Sequence, residues 1–289
     1  MIKLPTIFAA SLLAVGLFAG PSLSQEGHEA PAIERQPWSF AGLFGTYDKH
    51  QLQRGFQVFR EVCSSCHSAR LLAFRNLEEE GGPEFSEAQI KALAAEYTIN
   101  DPDAEGGTRK GLASDRWPGP PLSRADLVAS FGSVPPDLSV MAKARNVVSP
   151  FPQWVFNYFT IYAEAGPDYI HALLNGYHET VPEGATDAEG KPFVLPEGKF
   201  YNDVFPGHAI GMPPPLTEGA VAYAQPEAGG VAVPVTVEQY SEDVSAFFMW
   251  VAEPHLVARK EAGLRVMLFI LLLAGIMYMV KNRLWSKVH

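Results

Sequence analysis

The chain has 289 residues, 22 Lys and Arg against 32 Asp and Glu, and a formal net charge of −10. That acidic balance excludes a binder of the nucleic-acid backbone. Two cysteines leave no disulfide scaffold, and the sequence holds no phosphate-binding glycine loop, no H-E-x-x-H and no G-x-S-x-G.

Residues 1–24 read as a secretory signal peptide. Lys3 supplies the positive start, Ile7 to Phe18 the apolar stretch, and Ser22 and Ser24 the small residues before a cut at Gln25. Removing Lys3 with the leader takes the charge from −10 to −11. Residues 25–258 then form one exported domain, long enough for a sizeable core.

Asp48 caps a predicted helix that runs to about Val62, with Gln51 placed as in a capping box. Leu52, Phe56, Phe59 and Val62 recur at helical spacing, and Gly55 would let a second helix approach closely. The helix leads into Cys63-Ser64-Ser65-Cys66-His67, which contains both cysteines of the chain. C-x-x-C-H is the attachment signature of a c-type haem. Two thiols three residues apart on one turn can each form a thioether to a vinyl group, and the next imidazole points at the iron. A thioredoxin-like dithiol shares the spacing but sits at a strand-to-helix junction, and a structural zinc needs a second ligand pair. The motif therefore predicts one covalently bound haem c, tethered by Cys63 and Cys66, with His67 on the metal.

Acidic clusters stand at Glu78, Glu79 and Glu80, at Asp101, Asp103 and Glu105, and at Glu183, Asp187 and Glu189. They read equally as solubilising loops or as a face that steers a basic partner. An electron carrier usually fills the sixth iron position, and methionine there raises the potential. Outside the leader and the C-terminal apolar run the candidates are Met141, Met212 and Met249. Met249 lies on an aromatic helix and reads as core, whereas Met141 follows Pro135-Pro136-Asp137-Leu138-Ser139 and could line the pocket. Met212 has the best setting, because Gly211 permits close approach and Pro213, Pro214 and Pro215 hold an extended loop. His208 and His171 are the alternatives.

Thr236 and Gln239 mark a second capping box, followed by the apolar face Tyr240, Val244, Phe247, Phe248 and Val251. This helix is expected to cross the first, with Phe59 near Phe247, and to run on through Pro254. Val266 to Val280 holds fifteen uncharged residues, and Ala262 to Val280 nineteen with Arg265 alone inside. Residues 259–282 therefore read as one membrane anchor, and 283–289 as a cytoplasmic tail.

These pieces together resemble cytochrome c1, the haem subunit of the cytochrome bc1 complex, bacterial type. The likeness rests on Arg54-Gly55-Phe56-Gln57-Val58-Phe59, Pro136-Asp137-Leu138-Ser139, Lys143-Ala144-Arg145 and Asp168-Tyr169-Ile170. It rests further on Phe205-Pro206-Gly207-His208-Ala209-Ile210-Gly211-Met212-Pro213-Pro214 and the Ala252-Glu253-Pro254-His255 exit. It implies a mainly α, cytochrome c-like domain with long loops and one C-terminal transmembrane helix. By the same likeness His67 and Met212 are axial ligands and Arg145 lies near a haem propionate. Pro135, Pro136, Tyr169, Leu173, Leu174, Phe205, Ile210 and Pro215 line the pocket. Where the family often has an asparagine-rich turn, this chain has Ser130-Phe131-Gly132. The implied partners are cytochrome b, the Rieske iron–sulfur protein, a soluble cytochrome c and the lipid bilayer, in a dimeric complex. The implied location is the bacterial inner membrane with the haem domain in the periplasm. The chain is expected to relay single electrons, with no substrate chemistry of its own. The rival readings are another anchored monohaem cytochrome, a five-coordinate haem enzyme or sensor, and a dithiol reductase.

Overall fold

The computed structural model describes residues 33–286 apart from 146–148, 150, 161, 188 and 225–231. The expected leader and its cut at Gln25 lie outside the described residues. Helix α1 spans Lys49–Glu61, and a 3-10 turn at Cys63–Ser65 follows it. A second such turn, Phe74–Glu78, leads to α2 (Glu87–Ala95), and then to the hairpin of β1 (Thr98–Asn100) and β2 (Thr108–Lys110). Next come α3 (Arg124–Phe131), α4 (Met141–Ala144), α5 (Gln153–Thr160) and α6 (Ala165–Asn175). Strands β3 (Tyr177–His178), β4 (Phe200–Asn202) and β5 (Ala209–Ile210) make a small antiparallel sheet in that order. Helices α7 (Val237–Ala252) and α8 (Leu256–Trp285) end the chain.

The core forms where α1 packs on α7. A Cβ on Gly55 would lie 2.1 Å from the Asp243 carbonyl oxygen and 2.7 Å from Phe247 Cβ, so only glycine permits this approach. Phe59 stacks on Phe247 at 5.7 Å, as the aromatic spacing predicts, and Trp117 packs against Phe56 and Phe59 at 5.6 and 5.3 Å. Each such aromatic pair adds about 0.5–1.5 kcal/mol beyond its area burial. Next to Gly55, Arg54 makes a two-pronged ion pair with fully buried Asp243, both bonds 2.8 Å, and Tyr223 donates to the same carboxylate. Met249 is fully buried, as expected of a core residue.

Two local expectations differ from the structure. Asp48 accepts from the Gln51 N–H at 2.7 Å, but the Gln51 amide reaches Glu242 at 3.1 Å. Likewise Thr236 accepts from the Gln239 N–H at 3.3 Å, while the Gln239 amide turns to Asp243 at 3.2 Å. Each cap forms and neither box closes, because carboxylates on α7 offer charged acceptors. The expected run through Pro254 is instead two helices. Proline has no N–H and drives the residue before it out of helical geometry, and Glu253 has φ −146° and ψ 68°. The chain turns over Glu253, Pro254 and His255, and α8 starts afresh.

Helix α8 has 30 residues, a mean hydropathy of 2.2 over its most apolar window, and none of that window buried. At 1.5 Å per residue it is about 45 Å long, enough to cross a bilayer core of roughly 30 Å. Arg265 pairs with Glu261 one turn away at 2.9 Å, toward the N-terminal end of the run.

Candidate haem-binding site

Helix α1 delivers the two thiols. Its last residue is Glu61, and the 3-10 turn that follows tightens the chain: the N–H groups of Cys66 and His67 both donate to the Cys63 carbonyl, at 3.2 and 2.9 Å. The hydroxyls of Ser64 and Ser65 bond back to the carbonyls of Arg60 and Val62, each at 2.8 Å. Cys63, Cys66 and His67 are all half-buried. Burial, with Cys66 beside it, pushes the Cys63 thiol up to about 12. A redox dithiol works through a lowered thiol pKa, whereas burial raises that of Cys63.

His67 is oriented by backbone. Its Nδ1 lies 2.8 Å from the Pro136 carbonyl oxygen. A carbonyl only accepts, so Nδ1 carries the proton and Nε2 keeps its lone pair. Burial lowers the His67 pKa, outweighing the opposing pull of the Pro136 carbonyl and Asp137, so the ring stays neutral. A histidine whose far nitrogen is fixed by a carbonyl is set up as a metal ligand. The donor set thus fits a haem: two adjacent thiols and a neutral imidazole with a free Nε2.

Asp137 holds this loop to the motif. Its carboxylate accepts from the Ser68 hydroxyl at 2.7 Å, the Arg70 N–H at 2.9 Å and the Ser139 N–H at 3.0 Å. The Leu138 N–H donates to Ser68 O at 2.7 Å, and the Leu71 N–H to the Ser139 hydroxyl at 3.0 Å. Burial alone would raise the Asp137 pKa, but these bonds outweigh it and hold it at about 2. A folded pKa below the unfolded value of 3.8 stabilises the fold above roughly pH 4, and that stabilisation is lost as pH falls through about 2. With partial exposure allowed for, the contribution is about 1–2 kcal/mol. Asp137→Asn is expected to lose that much stability at pH 7 and to match the parent near pH 2, measured by denaturant unfolding across pH.

The other expected pocket residues lie on α6, in the small sheet and in the loops beside them. Tyr169, Leu173 and Leu174 lie along α6, the first two half-buried and Leu174 buried. Met212 is half-buried and packs against the main core, as do Met141, Tyr169 and Cys63. The Tyr177 hydroxyl donates to the Met212 carbonyl at 3.1 Å, which pins the Met212 loop to β3. Burial raises the pKa of Tyr177, with Tyr169 adding to it. Burial also raises that of Tyr169, whereas the positive charge of Arg145 works against it. Arg145 itself is exposed. Ile210 is buried, Pro135, Phe205 and Pro215 are half-buried, and Pro136 is exposed apart from its bonded carbonyl.

Asn202 organises the loop between them. Fully buried, it donates to the Leu173 carbonyl at 2.8 Å and accepts from Val204 and Phe205 N–H at 2.9 and 3.0 Å. The alternative ligands have other partners. His208 stacks on Tyr201 at 5.5 Å, with Nδ1 3.0 Å from the Asn202 carbonyl. His171 is buried, with Nε2 3.1 Å from Glu238. Sequence reasoning assigned no role to Asp137, Tyr177 or Asn202. Gly132, at the place of the expected asparagine-rich turn, ends α3 in a left-handed cap with φ 74°.

The Cytochrome C1 family model matches residues 38–288. The chain is 42% identical to cytochrome c1 of Blastochloris viridis, covering 97% of this chain and 96% of that one. It is 39% identical to cytochrome c1 of Rhodospirillum rubrum, over 100% of this chain and 98% of that one. It is also 45% identical, over 97% of its length, to cytochrome b/c1 of Bradyrhizobium diazoefficiens, of which it spans 40%. With α8, this likeness makes it a single-pass membrane protein. The chain belongs to the cytochrome c1 family and is a haem-carrying electron-transport subunit of the cytochrome bc1 complex.

Proposed function

We propose that this chain relays single electrons from the Rieske iron–sulfur protein to a soluble cytochrome c, within a dimeric complex that also contains cytochrome b. The observation that carries the reading is the His67 Nδ1 bond to Pro136 O, which leaves a neutral Nε2 beside two thiols on one turn. In this reading Cys63 and Cys66 would tether one haem c per chain, and His67 and Met212 would hold its iron. Arg145 would offset the charge of a haem carboxylate. Tyr169, Leu173, Leu174, Phe205, Ile210, Pro135, Pro136 and Pro215 wall the pocket and exclude water. When bound, the haem supplies a one-electron redox couple, and axial ligands and burial set its potential. No bond of a substrate is made or broken by these side chains, so quinol oxidation belongs to the complex as a whole. Residues 1–24 act as the export signal and 259–282 as the anchor, which places residues 25–258 in the periplasm and 283–289 in the cytoplasm.

The relay is tested in the purified complex by rapid mixing with quinol. Fast reduction of the c-type absorbance with the Rieske protein present, and slow reduction without it, supports the relay; equal rates sink it. The acidic clusters bear on the acceptor. Asp101 is engaged by Arg109 at 2.7 Å, whereas Glu78, Glu80, Asp103, Glu105, Glu183 and Glu189 are exposed. Neutralising these six is expected to slow association with a basic cytochrome c roughly tenfold at low salt and to flatten the salt dependence. Unchanged rates and salt slopes would remove the acidic loops from docking.

A further inference from the structure

Residues 146–163 form a stretch of eighteen without Asp, Glu, Lys or Arg, in a chain of net charge −10. Within it α5 and the turn before it expose aromatic side chains that a soluble surface rarely leaves together: Phe151 in the turn is 77% exposed, and on α5 Tyr158 is 78%, Phe159 81% and Trp154 49% exposed. Trp154 and Tyr158 are one helical turn apart and their rings meet edge-on at 6.1 Å, so they share a face of α5. Arg35 holds this segment to the body of the domain: it donates to Asn157 at 2.7 Å and lies over the Tyr162 ring at 3.8 Å.

Three connections tie this segment to the start of the membrane helix. Before it, Lys143 pairs with Glu253, the residue at which α7 turns toward α8. After it, buried Glu164 lies close enough to attract the Lys260 ammonium. Alongside it runs the strap that carries Arg35, and the Lys260 ammonium donates to this strap at the Phe40 carbonyl. Phe44, 80% exposed, is on the same strap. Lys260 is two residues, about 3 Å, before Ala262, where the apolar run begins. The headgroup layer on each side of a bilayer is roughly 5–8 Å thick. Groups bonded to Lys260 therefore sit at headgroup depth.

We infer that α5 and Phe44 form an interfacial platform that lies in the headgroup layer of the bilayer and seats the haem domain on the membrane. Trp, Tyr and Phe are the residues that favour this layer, and an uncharged helix enters it without desolvating an ion. The platform supplies a second attachment beside α8, so the domain is held by a surface and not by a single tether. The inference rests on α8 crossing the membrane.

The test uses the full chain in the assembled complex, in vesicles of phosphatidylethanolamine and phosphatidylglycerol. A photoreactive p-benzoylphenylalanine replaces Phe159, Phe44, Leu271 in the anchor, or Val194, which is 82% exposed on the loop between β3 and β4. Lipid adducts at Phe159 and Phe44, roughly tenfold above Val194, are expected. Adducts of Phe159 with a protein chain, or a lipid yield no higher than at Val194, overturn the platform. If Leu271 labels lipid and Phe159 and Phe44 do not, only the platform fails; if Leu271 also fails, the spanning reading fails with it.

Discussion

Met212→Leu is expected to leave a folded protein whose haem is five-coordinate. Leucine fills the space of methionine at a typical cost under about 1.5 kcal/mol, so the loop pinned by Tyr177 stays in place. The thioether is lost as a ligand, and with it the stabilisation it gives the reduced iron. The midpoint potential should fall by on the order of 0.1 V or more, within the roughly 0.8 V that axial ligands span. The reduced spectrum should turn high-spin, the weak near-infrared sulfur–iron band should vanish, and carbon monoxide should bind readily. The parent should do none of these. An unchanged spectrum in the variant would mean that Met212 is not the ligand, and would return His208 and His171 to consideration. High-spin bands in the parent would favour an enzyme or sensor.

Gly55→Val is expected to be the most damaging single change to the fold. Even the first carbon of the new side chain would lie 2.1 Å from the Asp243 carbonyl oxygen, and both of its nearest neighbours belong to α7. No flexible side chain can yield there. Overpacking of a core typically costs 1–3 kcal/mol, and a clash with helix backbone should exceed that, at about 4 kcal/mol or more. The helices would have to part, which would also strain the Arg54–Asp243 pair and the Phe59–Phe247 stack. Because α1 ends at the thiols, the haem yield should fall together with stability. Gly55→Ala should show the same effect at reduced size. Holoprotein yield and the unfolding midpoint check both; a parental midpoint in Gly55→Val would mean that the crossing is looser than the structure shows.

The parts of this account that were legible in the sequence are those where local chemistry and long-range packing agree. Asp48 and Thr236 are short-range caps, and Gly55 with Phe59 marks a helix face whose partner face repeats in Phe247 and Phe248. Cys63, Cys66 and His67 announce themselves by spacing. What the sequence hid depends on distant pairings. Asp137 means nothing alone; it becomes a staple only because the chain brings Ser68 and Arg70 within 2.9 Å of it. Asn202 serves carbonyl and N–H groups on two sides of a loop, and Tyr177 finds a backbone carbonyl 35 positions away. The capping boxes failed for the same reason, because Gln51 and Gln239 find carboxylates on α7 that no local pattern reveals. The exit through Pro254 was misread although its cause is local: proline forbids the helix that the flanking apolar residues suggest.

The covalent haem is the claim on which the rest stands, and acid–acetone extraction of the purified membrane protein followed by peptide mapping tests it most directly. The account predicts that the colour stays with the polypeptide, that one peptide spanning Cys63 to His67 carries one haem, and that no thiol can be titrated in the unfolded chain. Haem that extracts into the solvent, or two free thiols at Cys63 and Cys66, would contradict it.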